Sequence, residues 1–194
     1  MRIGIDFDNT IVCYDQAFYL SALEKKLIPE NVKPTKESIR NYLRTIGKEN
    51  EWTALQGYVY GKGMDLALIY NGVDIFFDQV KKFQFDIYII SHKTKYPYIG
   101  PKYDLHIAAK EWLKKQTFFD VDCYFELTLQ NKLQRIRELN CDYFIDDLPE
   151  LLSEENFPKN VKALLFDPND SYDSTYHYTK FSSWREINKF LKIS

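Results

Sequence analysis

Met1-Arg2-Ile3-Gly4-Ile5-Asp6-Phe7-Asp8-Asn9-Thr10 opens the chain, and its reading decides the fold. Ile3, Ile5 and Phe7 alternate as they do in a buried strand, and the run then meets two carboxylates separated by one residue. Desolvating a carboxylate is costly, so a buried strand ends in acids where that end opens on solvent, a metal or a substrate. The strand period of two sends Asp6 and Asp8 the same way. Two carboxylates converging at the carboxyl end of a strand seat a hard cation, and oxygen ligands suit magnesium.

Outward from this stretch, strands alternate with helices. Apolar runs predict further strands over 85–90, 121–127, 143–145 and 161–166. Helical spacing predicts helices over 14–27, 35–46, 51–60, 72–83, 105–116, 132–139 and 184–191, with Thr35 as an N-cap and Gly47 as a stop. No strong strand signal lies between Tyr14 and Tyr70, so that region reads as a helical insertion. The alternation predicts an α/β fold with a parallel sheet covered on both faces by right-handed crossovers.

Composition limits the function classes. A chain of 194 residues holds one domain, or one with a modest insertion, and 45% hydrophobic with 28% charged residues is globular rather than disordered. A net charge of −2 gives no general attraction to nucleic acid or to an acidic membrane. Cys13, Cys123 and Cys141 have no metal-type spacing and fit a reduced compartment. The first strand starts at Arg2, which leaves no room for a signal peptide before it, and no apolar run approaches membrane-spanning length. The expectation is a soluble, cytoplasmic protein.

Ligands in open α/β sheets sit at the carboxyl ends of the strands. Those ends carry Asp6 and Asp8, then Ser91, then Asp146 and Asp147, while Lys132 begins the helix leading into the fourth strand. Carboxylates for a metal, a hydroxyl for an anion and an ammonium to balance charge together suit phosphoryl transfer. Each residue also has a plainer reading. Asp6 and Asp8 would bond backbone amides, Asp146-Asp147 would cap the next helix, and Ser91 would be a loop serine.

The same residues resemble the motifs of the haloacid dehalogenase (HAD) superfamily. Asp6-Phe7-Asp8-Asn9-Thr10 resembles its first motif, DxDxT. Ser91 after Ile87-Tyr88-Ile89-Ile90 resembles the second motif, Lys132 the third, and Asp146-Asp147 after Tyr143-Phe144-Ile145 the fourth. The resemblance runs in order through nearly the whole chain, and its first and fourth motifs are the specific ones. It implies a Rossmann-like three-layer core over 1–12 and 71–194, with a central parallel sheet of order 5-4-1-2-3, and a small helical C1 cap over 13–70. The ending Ile145-Asp146-Asp147-Leu148-Pro149-Glu150 is also similar to the cytosolic 5′-deoxyribonucleotidase branch.

The activity this resemblance implies is a Mg2+-dependent phosphatase acting on a small phosphorylated metabolite through an aspartyl-phosphate. Asp6 would be the nucleophile, and Asp8 would protonate the leaving oxygen and then serve as base. Magnesium would be held by the Asp6 carboxylate, the Asp8 main-chain carbonyl and the pair Asp146-Asp147. Ser91 would bind a phosphoryl oxygen and Lys132 would counter its charge. Thr10 would support the loop. Asn9 stands where many relatives carry Gly, and Asn tolerates the turn. Were Lys132 to face solvent, Lys93 or Lys95 would take its place.

Asp8 argues against a dehalogenase, because carbon–halogen displacement leaves no alkoxide to protonate. A phosphotransferase or phosphomutase uses the same residues, and a non-catalytic binding protein can retain the fold. The completeness of the acidic set favours an enzyme. In the insertion, Trp52, Tyr58 and Tyr60 read as core packing rather than base stacking. The segment from Tyr96 to Tyr103 reads equally as a leaving-group contact or a solvated loop. His92, His106 and His177 have no paired spacing, and Asp167 reads as a turn residue.

Overall fold

The opening alternation becomes the centre of a six-stranded parallel sheet. A computed structural model describes residues 1–116 and 120–193. The sheet strands are β1 (Arg2–Ile5), β2 (Asp86–His92), β3 (Asp122–Glu126), β4 (Tyr143–Asp146), β5 (Lys162–Phe166) and β6 (Thr179–Phe181). They lie in the order β3-β2-β1-β4-β5-β6. The expected order of five strands is present, and β6 adds an edge, with Phe166 opposite Phe181. Ile3 lies beside Ile87 and Tyr143, and Ile5 beside Ile89 and Ile145, the apolar rows that a sheet covered on both faces requires.

The helices are α1 (Asp15–Glu24), α2 (Lys36–Thr45), α3 (Glu49–Tyr60), α4 (Val73–Lys82), α5 (Leu105–Lys115), α6 (Leu129–Glu138), α7 (Pro149–Leu152) and α8 (Trp184–Phe190). The chain divides into two units. The first comprises Met1–Ile11, Ile69–Lys93 and Thr117–Ser194, and the second Val12–Leu68 and Thr94–Gln116.

In the first unit, one sheet face buries Phe144, Cys141, Ala163 and Leu165 against Leu133 and Ile136 of α6 and Leu151 and Leu152 of α7. On the other face Trp184 of α8, fully buried, has its ring 5.8 Å from Phe166 and 4.9 Å from Phe76 of α4. Gly4 is required by close approach. A Cβ there would stand 2.6 Å from Cδ2 of Phe144, whose ring fills the space. Gly4→Ala is therefore expected to destabilise the protein by about 1–3 kcal/mol in a denaturant titration, and an unchanged midpoint would contradict this packing.

The second unit is helical and has its own aromatic core. Phe18 stacks on Trp52 at 5.0 Å, and Tyr60 meets Tyr14 at 4.9 Å, so Trp52 and Tyr60 pack among aromatic neighbours within the unit. Thr35 caps α2 by accepting from Ser38 N at 3.2 Å, and Ile39 and Leu43 bury one helix face. The segment Thr94–Gln116, expected from sequence to stay with the sheet, packs in this unit. Trp112 Nε1 donates to Ala67 O at 3.1 Å, and Pro97 lies against Gly57, where a Cβ would come within 2.6 Å of it. Among the described residues, no helix is long and apolar enough to cross a membrane.

Candidate active site

All six residues singled out in the sequence lie in the first unit, at or just beyond the carboxyl ends of β1, β2 and β4 or in the first turn of α6. Asp6 follows β1 directly, and its N–H still donates to Ile145 O at 2.8 Å, so the sheet fixes its backbone. Asp146 ends β4 and is fully buried. Lys132 follows Thr128, whose side chain caps α6 by accepting from Asn131 N at 3.1 Å. That start aims Lys132 back at the strand ends.

Lys132 does not face solvent. Its side chain is 1% exposed, and Nζ donates to Asp6 Oδ1 and to Asp146 Oδ2, each at 2.6 Å. Nζ also lies 5.4 Å from the centre of the Phe144 ring, the ring that Gly4 admits. Asp146 serves the plainer reading as well, because its Oδ1 accepts from Leu148 N at 2.9 Å and holds the following turn. Carboxylate oxygens of Asp6, Asp146 and Asp147 all lie within 4.8 Å of one another. These three, rather than the Asp6 and Asp8 carboxylates alone, make the oxygen-rich cluster.

The loop after β1 is held by its neighbours. Asn9 takes a left-handed φ of +59°, the turn its side chain tolerates. Thr10 O accepts from Trp184 Nε1 at 3.1 Å, and Thr10 Oγ1 donates to Asp147 Oδ1 at 3.4 Å. Thr10 therefore supports the loop and reaches the acidic pair.

Lys93 has a larger part than its sequence position suggested. It is 4% exposed, and Nζ donates to both oxygens of Asp8, at 2.8 and 2.9 Å. Its own N–H donates to Glu126 O at 2.9 Å, continuing the β2–β3 ladder past His92. The signal was the spacing Ser91-His92-Lys93, which repeats the alternation of Asp6-Phe7-Asp8 and sends Ser91 and Lys93 to one side. Lys95 belongs to the second unit, where it lies 3.8 Å from Asp104. Ser91 is 1% exposed, and its Oγ has no hydrogen-bond partner among the described residues, which suits a hydroxyl that binds a ligand oxygen. Asp167 makes the expected turn by accepting from Ser171 N and Tyr172 N.

Burial pushes the Asp6 carboxyl up to about 7; Lys132 opposes the rise, and the negative charges of Asp146 and Asp8 add to it. Burial also works against the Lys132 ammonium, but Asp146 and Asp6 outweigh it, so its proton is held more tightly than usual. Asp6, Asp8, Asp146 and Asp147 against Lys93 and Lys132 leave two formal negative charges when all are ionised, which one divalent cation cancels. The donor set of three carboxylates fits such an ion. The arrangement offers an oxygen nucleophile, a carboxylate for proton transfer and cations for an oxyanion.

No family model matches the sequence, and no curated protein matches it. Solved structures do match over almost the full chain. A predicted phosphatase from Clostridium acetobutylicum is 17% identical with a TM-score of 0.57, covering 98% of this chain and 97% of that one. YfnB from Bacillus subtilis, described as a HAD-hydrolase bound to magnesium, is 16% identical with a TM-score of 0.59 and the same coverage. A dehalogenase in an intermediate complex is 10% identical with a TM-score of 0.59, covering 97% and 96%. What these likenesses show is the fold, which this chain shares with solved HAD-type hydrolases, phosphatases and a dehalogenase.

Proposed function

We propose that this chain, on its HAD-type fold, is a Mg2+-dependent phosphatase that hydrolyses a small phosphomonoester through an aspartyl-phosphate on Asp6. The observation that carries the reading is the buried Lys132, bonded at 2.6 Å to both Asp6 and Asp146 at the strand ends. A buried ammonium between two carboxylates fixes the orientation of Asp6 and supplies positive charge where a phosphoryl group would arrive. Dehalogenases share the fold, so the fold alone does not choose between the two chemistries. Asp8 favours the phosphatase, because an alkoxide leaving group needs a proton and a halide does not.

Asp6, Asp146 and Asp147 would hold Mg2+, with the Asp8 main-chain carbonyl. The ion would neutralise charge on Asp6 and on the phosphoryl oxygens when bound. An oxygen of Asp6 forms a bond to phosphorus while the ester P–O bond breaks, and Asp8 gives its proton to the leaving oxygen. Water then attacks phosphorus, its proton passes to Asp8, and the Asp6–phosphorus bond breaks to release inorganic phosphate. Ser91 Oγ donates to a phosphoryl oxygen, and Lys132 faces the charge on Asp6 and on the phosphoryl group. Residues 13–70 are read as the cap that selects the leaving group.

The test is release of p-nitrophenolate from p-nitrophenyl phosphate, with Mg2+ and with EDTA, followed by a panel of nucleotides and sugar phosphates. Turnover that requires Mg2+ supports the reading; failure of every ester contradicts it. The raised Asp6 carboxyl adds a pH signature. Below about 7 a cation must displace its proton, so apparent Mg2+ affinity is expected to weaken, by up to about tenfold per pH unit. Calorimetric titration of the EDTA-treated protein between pH 6 and 8 reads this, and a flat affinity would argue against Asp6 as a ligand.

A further inference from the structure

Two buried lysines lie at the site, and Lys132 is the one bonded to Asp6, at 2.6 Å. Lys93 is bonded to both oxygens of Asp8, at 2.8 and 2.9 Å, with its side chain 3% exposed against 20% for Asp8. Its backbone is fixed through the hydrogen bond to Glu126 O, and Nζ lies 5.6 Å from the centre of the Phe7 ring. An ammonium held by both its backbone and its burial leaves the paired carboxylate little rotational freedom. The half of the reaction in which Asp8 acts as an anion is the attack of water on the aspartyl-phosphate.

We propose that Lys93 is a positioning residue for that second half. It orients the Asp8 carboxylate to take the proton of the attacking water while the Asp6–phosphorus bond breaks and phosphate leaves. Formation of the aspartyl-phosphate from an ester with a good leaving group needs no proton from Asp8, so that half is largely independent of Lys93. The inference rests on the phosphatase reading and assigns Lys93 a step within it.

The two halves separate in rapid-mixing kinetics with p-nitrophenyl phosphate. Lys93→Met is expected to release a burst of about one equivalent of p-nitrophenolate and then turn over about 10²-fold more slowly than wild type, with phosphate accumulating on Asp6. Lys93→Arg, which keeps a cation able to hold both oxygens, is expected to recover part of the steady-state rate. In an Asp8→Asn background, Lys93→Met should change the steady-state rate little, because the two residues act as a unit. Asp8 reaches solvent, so Lys93→Met should fold, and a thermal melt verifies it. Equal loss of burst and steady state in a folded Lys93→Met variant would overturn the proposal while leaving the phosphatase reading intact. A wild-type protein without turnover or phosphoenzyme on any ester would overturn both.

Discussion

Asp6→Asn is expected to lower the rate of phosphate release by about 10³-fold or more at saturating Mg2+, with the fold retained. The amide keeps the shape of the side chain and its backbone bond to Ile145 O, but it is a poor nucleophile and a poor ligand for a hard cation. Loss of activity through unfolding can be separated by its pH dependence. The folded Asp6 carboxyl is raised to about 7 by burial, with contributions from Asp146 and Asp8, against an ordinary 3.8. The folded protein therefore binds the proton more tightly, so the contribution of this group to stability is full below pH 4 and is lost as pH rises through 7. At pH 8 wild type carries the whole cost of the buried anion and Asp6→Asn does not. The metal-free variant should consequently melt no lower than metal-free wild type at pH 8. A variant that is active, or that melts well below wild type there, contradicts the account.

Lys132→Met has the second large effect, this time on both stability and activity. Removing the ammonium leaves Asp6 and Asp146, both nearly inaccessible to solvent, without the cation that bonds each at 2.6 Å. Breaking a buried ion pair by deleting one partner costs about 3–5 kcal/mol. For a domain of this size that lowers the melting temperature by on the order of 10 °C. Saturating Mg2+ should restore part of the loss, because the ion brings positive charge to the same carboxylates. Adding Asp6→Asn to Lys132→Met should also recover stability, since it removes one of the stranded anions. Phosphatase activity should fall about 10²-fold in a Lys132→Met protein that is kept folded by Mg2+. A melting temperature within about 2 °C of wild type would show that Lys132 does not balance the pair.

Much of this was legible in the chain because strand periodicity and carboxylate chemistry are local. Ile3 and Ile5 alternate into Asp6, Ile145 leads into Asp146, and the apolar runs around them already mark five strands, whose order the family resemblance implied. The features that were not legible depend on contacts distant in sequence. Lys93 reads only as a substitute for Lys132, no better placed than Lys95, until the ladder is seen to run on through Glu126 O, which turns Ser91 and Lys93 to one side. The placement of 94–116 with the helical unit depends on Gly57 being bare enough to admit Pro97 and on Trp112 reaching Ala67. β6 is three residues long and follows a polar stretch, so its pattern is too short to stand out. The helix at Pro149 was expected only as one that Asp146-Asp147 would cap, and its bounds were not legible because proline reads first as a stop, although it also fits the first helical position.

In the proposed reaction Asp6 carries phosphate during turnover. The most direct test is to mix the protein with Mg2+ and p-nitrophenyl phosphate, quench in acid within the first turnover, reduce with borohydride and map the peptides by mass spectrometry. An acyl phosphate at Asp6 is converted to homoserine at that position. Wild type should give this product, Lys93→Met more of it, and EDTA-treated protein or Asp6→Asn none. Phosphate release with no modification at Asp6, or with the modification on another carboxylate, would contradict it.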